Sequence, residues 1–189
     1  MIDFIDAKTL FTIFHIFGVA IGAGGAYMSD AMFFKTVRDQ KISHTEMEFL
    51  NLGSIMVWGG ILLLVGSGYA LFSLNPEVYL ASSKFLVKIT IVGIIIVNGI
   101  IFHSWHIPRM KRHVGHHLPS SDEFSRHRLW LLFGGAVSAT SWSFAIILGV
   151  LRSIPYTYAQ GILFYLLVVS IAMLVVSLIK NYILPTHSA

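Results

Sequence analysis

Residues 9–29, TLFTIFHIFGVAIGAGGAYMS, contain no Asp, Glu, Lys or Arg, and the length of that run decides the fold. A helix rises about 1.5 Å per residue, so roughly 20 apolar residues are needed to cross about 30 Å of hydrocarbon. Four further runs, 49–76, 89–107, 129–151 and 153–179, are also charge-free. Composition agrees with membrane burial: 56% of the 189 residues are apolar, 12% are charged and the mean hydropathy is +0.76. A water-facing globule carries about 25% charged residues, so a soluble domain is excluded. The chain has no Cys, which removes disulfide scaffolds, zinc thiolates, iron–sulfur clusters and cysteine nucleophiles together.

The expected architecture is all-α, an antiparallel bundle of five transmembrane helices in one integral membrane domain, 1–189. The spans are expected at about 8–34, 47–75, 83–107, 127–151 and 156–181. Asp6 is placed to cap the first helix, and Thr45-x-x-Glu48 and Ser120-x-x-Glu123 have capping-box spacing. The third helix is expected to start near Ser82, and the fifth near Pro155, a residue suited to a first helical turn. The first run opens with Asp3 and Asp6 instead of a basic segment, so it reads as a retained helix and not a cleaved signal peptide.

Basic residues orient the bundle. Five spans put Lys8, Lys84, Lys88 and Arg152 on one side and the other 9 of the 13 Lys/Arg on the opposite side. The positive-inside rule then makes the second side cytoplasmic, with the N-terminus outside and a bacterial cytoplasmic (inner) membrane as the expected location. The charge lies at membrane borders, so the lipid bilayer, and not a nucleic acid, is the expected partner.

Inside the spans, His15 is the most informative residue. Gly18, Gly22, Gly25 and Ser29 follow it on the same helical face in steps of three and four. A groove beside an imidazole suits a flat macrocycle such as haem, whose iron accepts a neutral ring nitrogen. The same glycines equally suit the close approach of a second helix. Lys88 lies one to two turns inside the third helix, which enters from the same side, so it can share a level with His15. An intramembrane lysine either has a task or snorkels to the headgroups.

FHIFGVAIGAGGAYMSDAMFF, residues 14–34, and SKFLVKITIVGIIIVNGIIFHSWH, residues 83–106, resemble helices of the copper-resistance-D-like membrane proteins and the related membrane-bound protoporphyrinogen oxidases. The resemblance covers roughly residues 8–110. It implies a helical bundle associated with haem b or a porphyrin, with His15 and Lys88 in the functional site. A redox role, with a redox partner or a homo-oligomer, is the expectation built on it. The fifth helix and a histidine-rich loop depart from that pattern.

The histidines on the cytoplasmic side form a second candidate centre. His103 and His106 are three residues apart at a helix end, and His113-x-x-His116-His117 has a spacing that suits copper or another divalent metal. Interfacial histidines need no metal, and Arg109, Lys111 and Arg112 would repel one. Met28 and Met32 are spaced for Cu(I) thioether binding or for packing. Asp30 is expected in an interfacial ion pair with Lys35 or Arg38. Ser138, Thr140, Ser141 and Ser143 can bond within the fourth helix or across helices, and none is marked as a nucleophile. Carboxylates are missing from the middle of the helices, which counts against a secondary transporter. A scaffold that only packs against partner helices is the remaining reading.

Overall fold

The computed structural model describes residues 6–38, 43–112, 114 and 122–183. These form α1 (Ala7–Arg38), α2 (His44–Leu74), a short α3 (Pro76–Leu80) and α4 (Ser83–Ile101). A π-helical turn (Phe102–His106), α5 (Ile107–Arg112), α6 (Asp122–Val150) and α7 (Tyr158–Ile183) complete the chain. Among the described residues, five spans are long and apolar enough to cross a bilayer: Ala7–Lys35, His44–Leu74, Ser83–Arg112, Leu129–Val150 and Tyr158–Lys180. The fold is an all-α, multi-pass membrane bundle.

Local chemistry sets the helix starts. The Asp6 carboxylate accepts from Thr9 N at 2.7 Å, which caps α1 as expected. Ser82 caps α4 by accepting from Phe85 N. At α2 the capping box is Ser43 with Glu46, not Thr45 with Glu48: Ser43 Oγ accepts from Glu46 N, and Ser43 N donates to the Glu46 carboxylate. The two boxes have the same spacing, and the earlier one wins because it lets the helix extend. The Ser120–Glu123 box lies outside the described residues. α7 starts at Tyr158 instead of Pro155, behind a box of Thr157 and Gln160.

The third span runs past the expected stop at 107. Pro108 lacks an N–H and would crowd the preceding turn of a regular helix. Here the π-helical turn lies immediately before it, with Ile107 N donating to Phe102 O, and the wider ladder carries the chain on to Arg112.

α1 and α2 form the tightest pair, backbone against backbone. α6 sits centrally, packed on α1, α4 and α7. Trp142 and Ser141 of α6, Tyr165 of α7, Ile91 and Val87 of α4 and Leu50 of α2 are fully buried. Ser141 Oγ donates to Val137 O and lies 2.8 Å from the Tyr165 hydroxyl, so this central polar pair is satisfied. Ile16, Ile55, Leu62, Leu163 and Leu178 face outward, where lipid takes the place of a protein partner.

Candidate functional site

α1 and α4 make little direct backbone contact, yet two of their polar residues meet. Lys88 Nζ lies 3.4 Å from His15 Nε2, joining residues 73 apart in sequence. His15 Nδ1 lies 3.1 Å from Ser67 Oγ on α2, and Ser67 Oγ in turn donates to Leu63 O. This order fixes the protons. Ser67 spends its hydrogen on the backbone, so it accepts from His15 Nδ1–H. An ammonium can only donate, so Lys88 donates to His15 Nε2. His15 is thereby the neutral Nδ1–H tautomer, oriented from α2.

Lys84, one turn away, shows what a lysine at this border does otherwise. Its Nζ donates to Leu151 O at 2.7 Å and to Arg152 O at 3.2 Å, closing the C-terminal end of α6. Lys88 instead turns inward and is half-buried. Two glycines flank the pair. A methyl group on Gly68 would lie 3.4 Å from His15 Cε1, and one on Gly149 would lie 3.7 Å from Lys88 Nζ. Ser67, Gly68 and Gly149 carry no sequence signal that ties them to His15, since small residues occur throughout the spans.

The glycine row below His15 is the seat of α2 and Trp142. A methyl group on Gly18 would come 2.9 Å from Leu64 N, one on Gly22 would come 2.5 Å from Trp142 Cη2, and one on Gly25 would come 2.7 Å from Met56 Cβ. Of the two uses open to these glycines, close helix approach is the one the structure displays, and no groove remains along the row.

The histidines at the other end diverge. His103 is exposed, with Nδ1 3.1 Å from Ser54 Oγ, whereas His106 is buried with its ring 5.9 Å from that of Phe102. The π-helical turn changes their angular offset, so a separation of three does not aim both at one point. His113, His116 and His117 lie outside the described residues. Among the described residues no group of three or more His, Cys, Asp or Glu is arranged to hold a metal. Met28 is exposed and Met32 packs beside Phe33 and Met47, which is a packing role. Asp30 does not follow the expected ion pair with Lys35, and the side chain of Arg38, the other expected partner, lies outside the described structure. Lys35 is exposed, while the Asp30 carboxylate turns into the bundle and is bonded by Ser138. No protein-family profile, no curated protein and no solved structure matches the chain.

Proposed function

We propose that the protein is a redox protein of the bacterial cytoplasmic membrane, N-terminus outside, that associates with haem b or another porphyrin at the His15–Lys88 seam. The observation that carries the reading is the meeting of these two residues at one level of the bundle, with the imidazole already oriented by Ser67.

The donor set fits such a group. An axial ligand is a neutral imidazole whose second nitrogen is held by a hydrogen bond, and the Ser67 hydroxyl supplies that hold on Nδ1. Nε2 is then the ligating atom. Lys88 carries the positive charge that a propionate needs, on a stem long enough to leave Nε2 for it. Gly18, Gly22 and Gly25 do not belong to this site, because α2 and Trp142 occupy their face. A macrocycle held by these two residues would sit at the seam between α1 and α4, which the Lys88 side chain bridges at this level. When bound, haem supplies one-electron chemistry, and a membrane redox partner would exchange electrons with it.

The test is an absorbance spectrum of protein purified from haem-replete cells. A Soret band that disappears in His15→Ala and shifts or weakens in Lys88→Met is the expected result. A colourless wild-type protein that also fails to take up added haemin overturns the proposal.

A further inference from the structure

At the end of α1 away from His15, a second polar site lies inside the bundle. Fifteen residues separate His15 from Asp30, which is about 22 Å along a helix. A cavity here is lined by Ser29 and Asp30 of α1, Ser54 of α2, Asn98 of α4 and Ser138 of α6, with Trp58, Trp142 and Phe102 among its apolar walls. The volume open to the centres of water molecules is about 50 Å³, which holds a few waters or a small ion, at about 10–15 Å³ each, and no macrocycle.

Two oxygens belonging to the lining residues, both fully enclosed, are unanswered. Ser29 is only 8% exposed, and its Oγ, packed against Gly53 of α2 beside the cavity, has no hydrogen-bond partner. Asp30 Oδ2 is buried and has none either, although Ser138 bonds the same carboxylate. Buried polar atoms are normally paired, and a charge within a membrane span requires a counter-charge. Among the described residues no Lys or Arg lines the cavity, and the Ser54 hydroxyl on its wall is engaged with His103 Nδ1. Asn98 Nδ2 donates one of its two hydrogens to Gly134 O, and the amide carbonyl remains as an acceptor.

We infer that this cavity is an intramembrane binding site for a small monovalent cation of the sodium class, held by Asp30 with the neutral oxygens of Ser29, Ser138, Asn98 and Ser54. The donor chemistry selects the ligand. All five residues carry a side-chain oxygen, and among the described residues no sulfur lines the cavity, which suits a hard cation and not a soft metal. A single carboxylate neutralises one positive charge, whereas calcium sites gather several carboxylates. Four neutral oxygens are more than a proton needs. The site is separate from the His15–Lys88 pair and does not depend on a porphyrin being present there.

Binding is read with the full chain in detergent micelles or nanodiscs at constant ionic strength, replacing choline chloride by sodium chloride. Sodium at about 100 times its dissociation constant should raise the melting temperature by roughly 5 °C or more. It should also change tryptophan emission, because Trp58 and Trp142 line the cavity. Asp30→Asn should abolish both responses, and Ser138→Ala should weaken sodium binding about tenfold. If Asp30→Asn does not fold, Ser29→Ala takes its place, alongside the linewidth of the sodium-23 resonance in the presence of wild-type protein and its reversal by lithium. A melting temperature and emission that follow pH but not sodium, or a sodium response unchanged in the variants, overturns the inference.

Discussion

Gly59 and Gly60 are neighbours on α2, and replacing each with Ala should move stability in opposite directions. A methyl group on Gly59 meets nothing within 4 Å. There the substitution only restricts the unfolded backbone and favours the helix, by about 0.5–1 kcal/mol. A methyl group on Gly60 would overlap the backbone of Gly22 and come 2.8 Å from Gly18 O. Those are main-chain atoms of a helix and cannot swing aside as a side chain can. α1 and α2 must separate until the contact relaxes, and overpacking of this kind costs about 1–3 kcal/mol. The two variants should therefore differ by about 1.5–4 kcal/mol, with Gly59→Ala the more stable. Reversible unfolding in mixed micelles, titrated with a denaturing detergent and followed by circular dichroism, measures the difference. Equal midpoints for the two variants would refute the backbone-to-backbone packing of α1 on α2. A haem-lined glycine groove would then be open again.

Ser67→Ala should leave the bundle folded but release the imidazole, weakening haemin uptake about 10–100-fold, as loss of an outer-shell partner does; unchanged uptake in a haemin titration would separate Ser67 from the site. The Ser141–Tyr165 pair should be asymmetric. Tyr165→Phe leaves Ser141 bonded to Val137 O and costs about 0.5–1.5 kcal/mol. Ser141→Ala strands a buried phenol and costs about 1–3 kcal/mol, so equal losses in detergent-titration midpoints would contradict the geometry. At the exposed start of α1, the hydrogen bond from the Thr9 side chain, followed by that from its backbone, holds the Asp6 carboxyl below its usual 3.8. A lowered pKa means that the cap is complete above that usual value and is lost as pH falls through the lowered one. The Thr9 amide resonance in micelles should titrate with a midpoint below 3.8, and a midpoint at or above it would remove the Asp6 cap.

The five spans were legible because hydrocarbon penalises charge locally, residue by residue. A run such as 9–29 therefore needs no partner to be recognised. Asp6 and Ser82 were legible for a related reason, since a cap is made within four residues of its own helix. Ser43 and Thr157 were missed because one stretch offers several hydroxyl-to-carboxyl or amide spacings and only the folded helix chooses among them. That His15 and Lys88 share a level could be counted along two helices. That they touch could not, because the rotation of each span about its own axis is not encoded in its apolar pattern.

In water a helix declares its inner face by hydrophobic contrast. In lipid both faces are apolar, and the contrast disappears. The apolar runs therefore establish that the chain crosses the membrane five times and where its few polar residues lie along the spans. Which way those residues face is set by the packed bundle. It seats α2 on the glycines of α1, joins His15 to Lys88 and Ser67, and turns Asp30 into a cavity with Ser29 and Ser138. Packing of backbone against backbone and the pairing of buried polar atoms settle these rotations, and both exist only between helices.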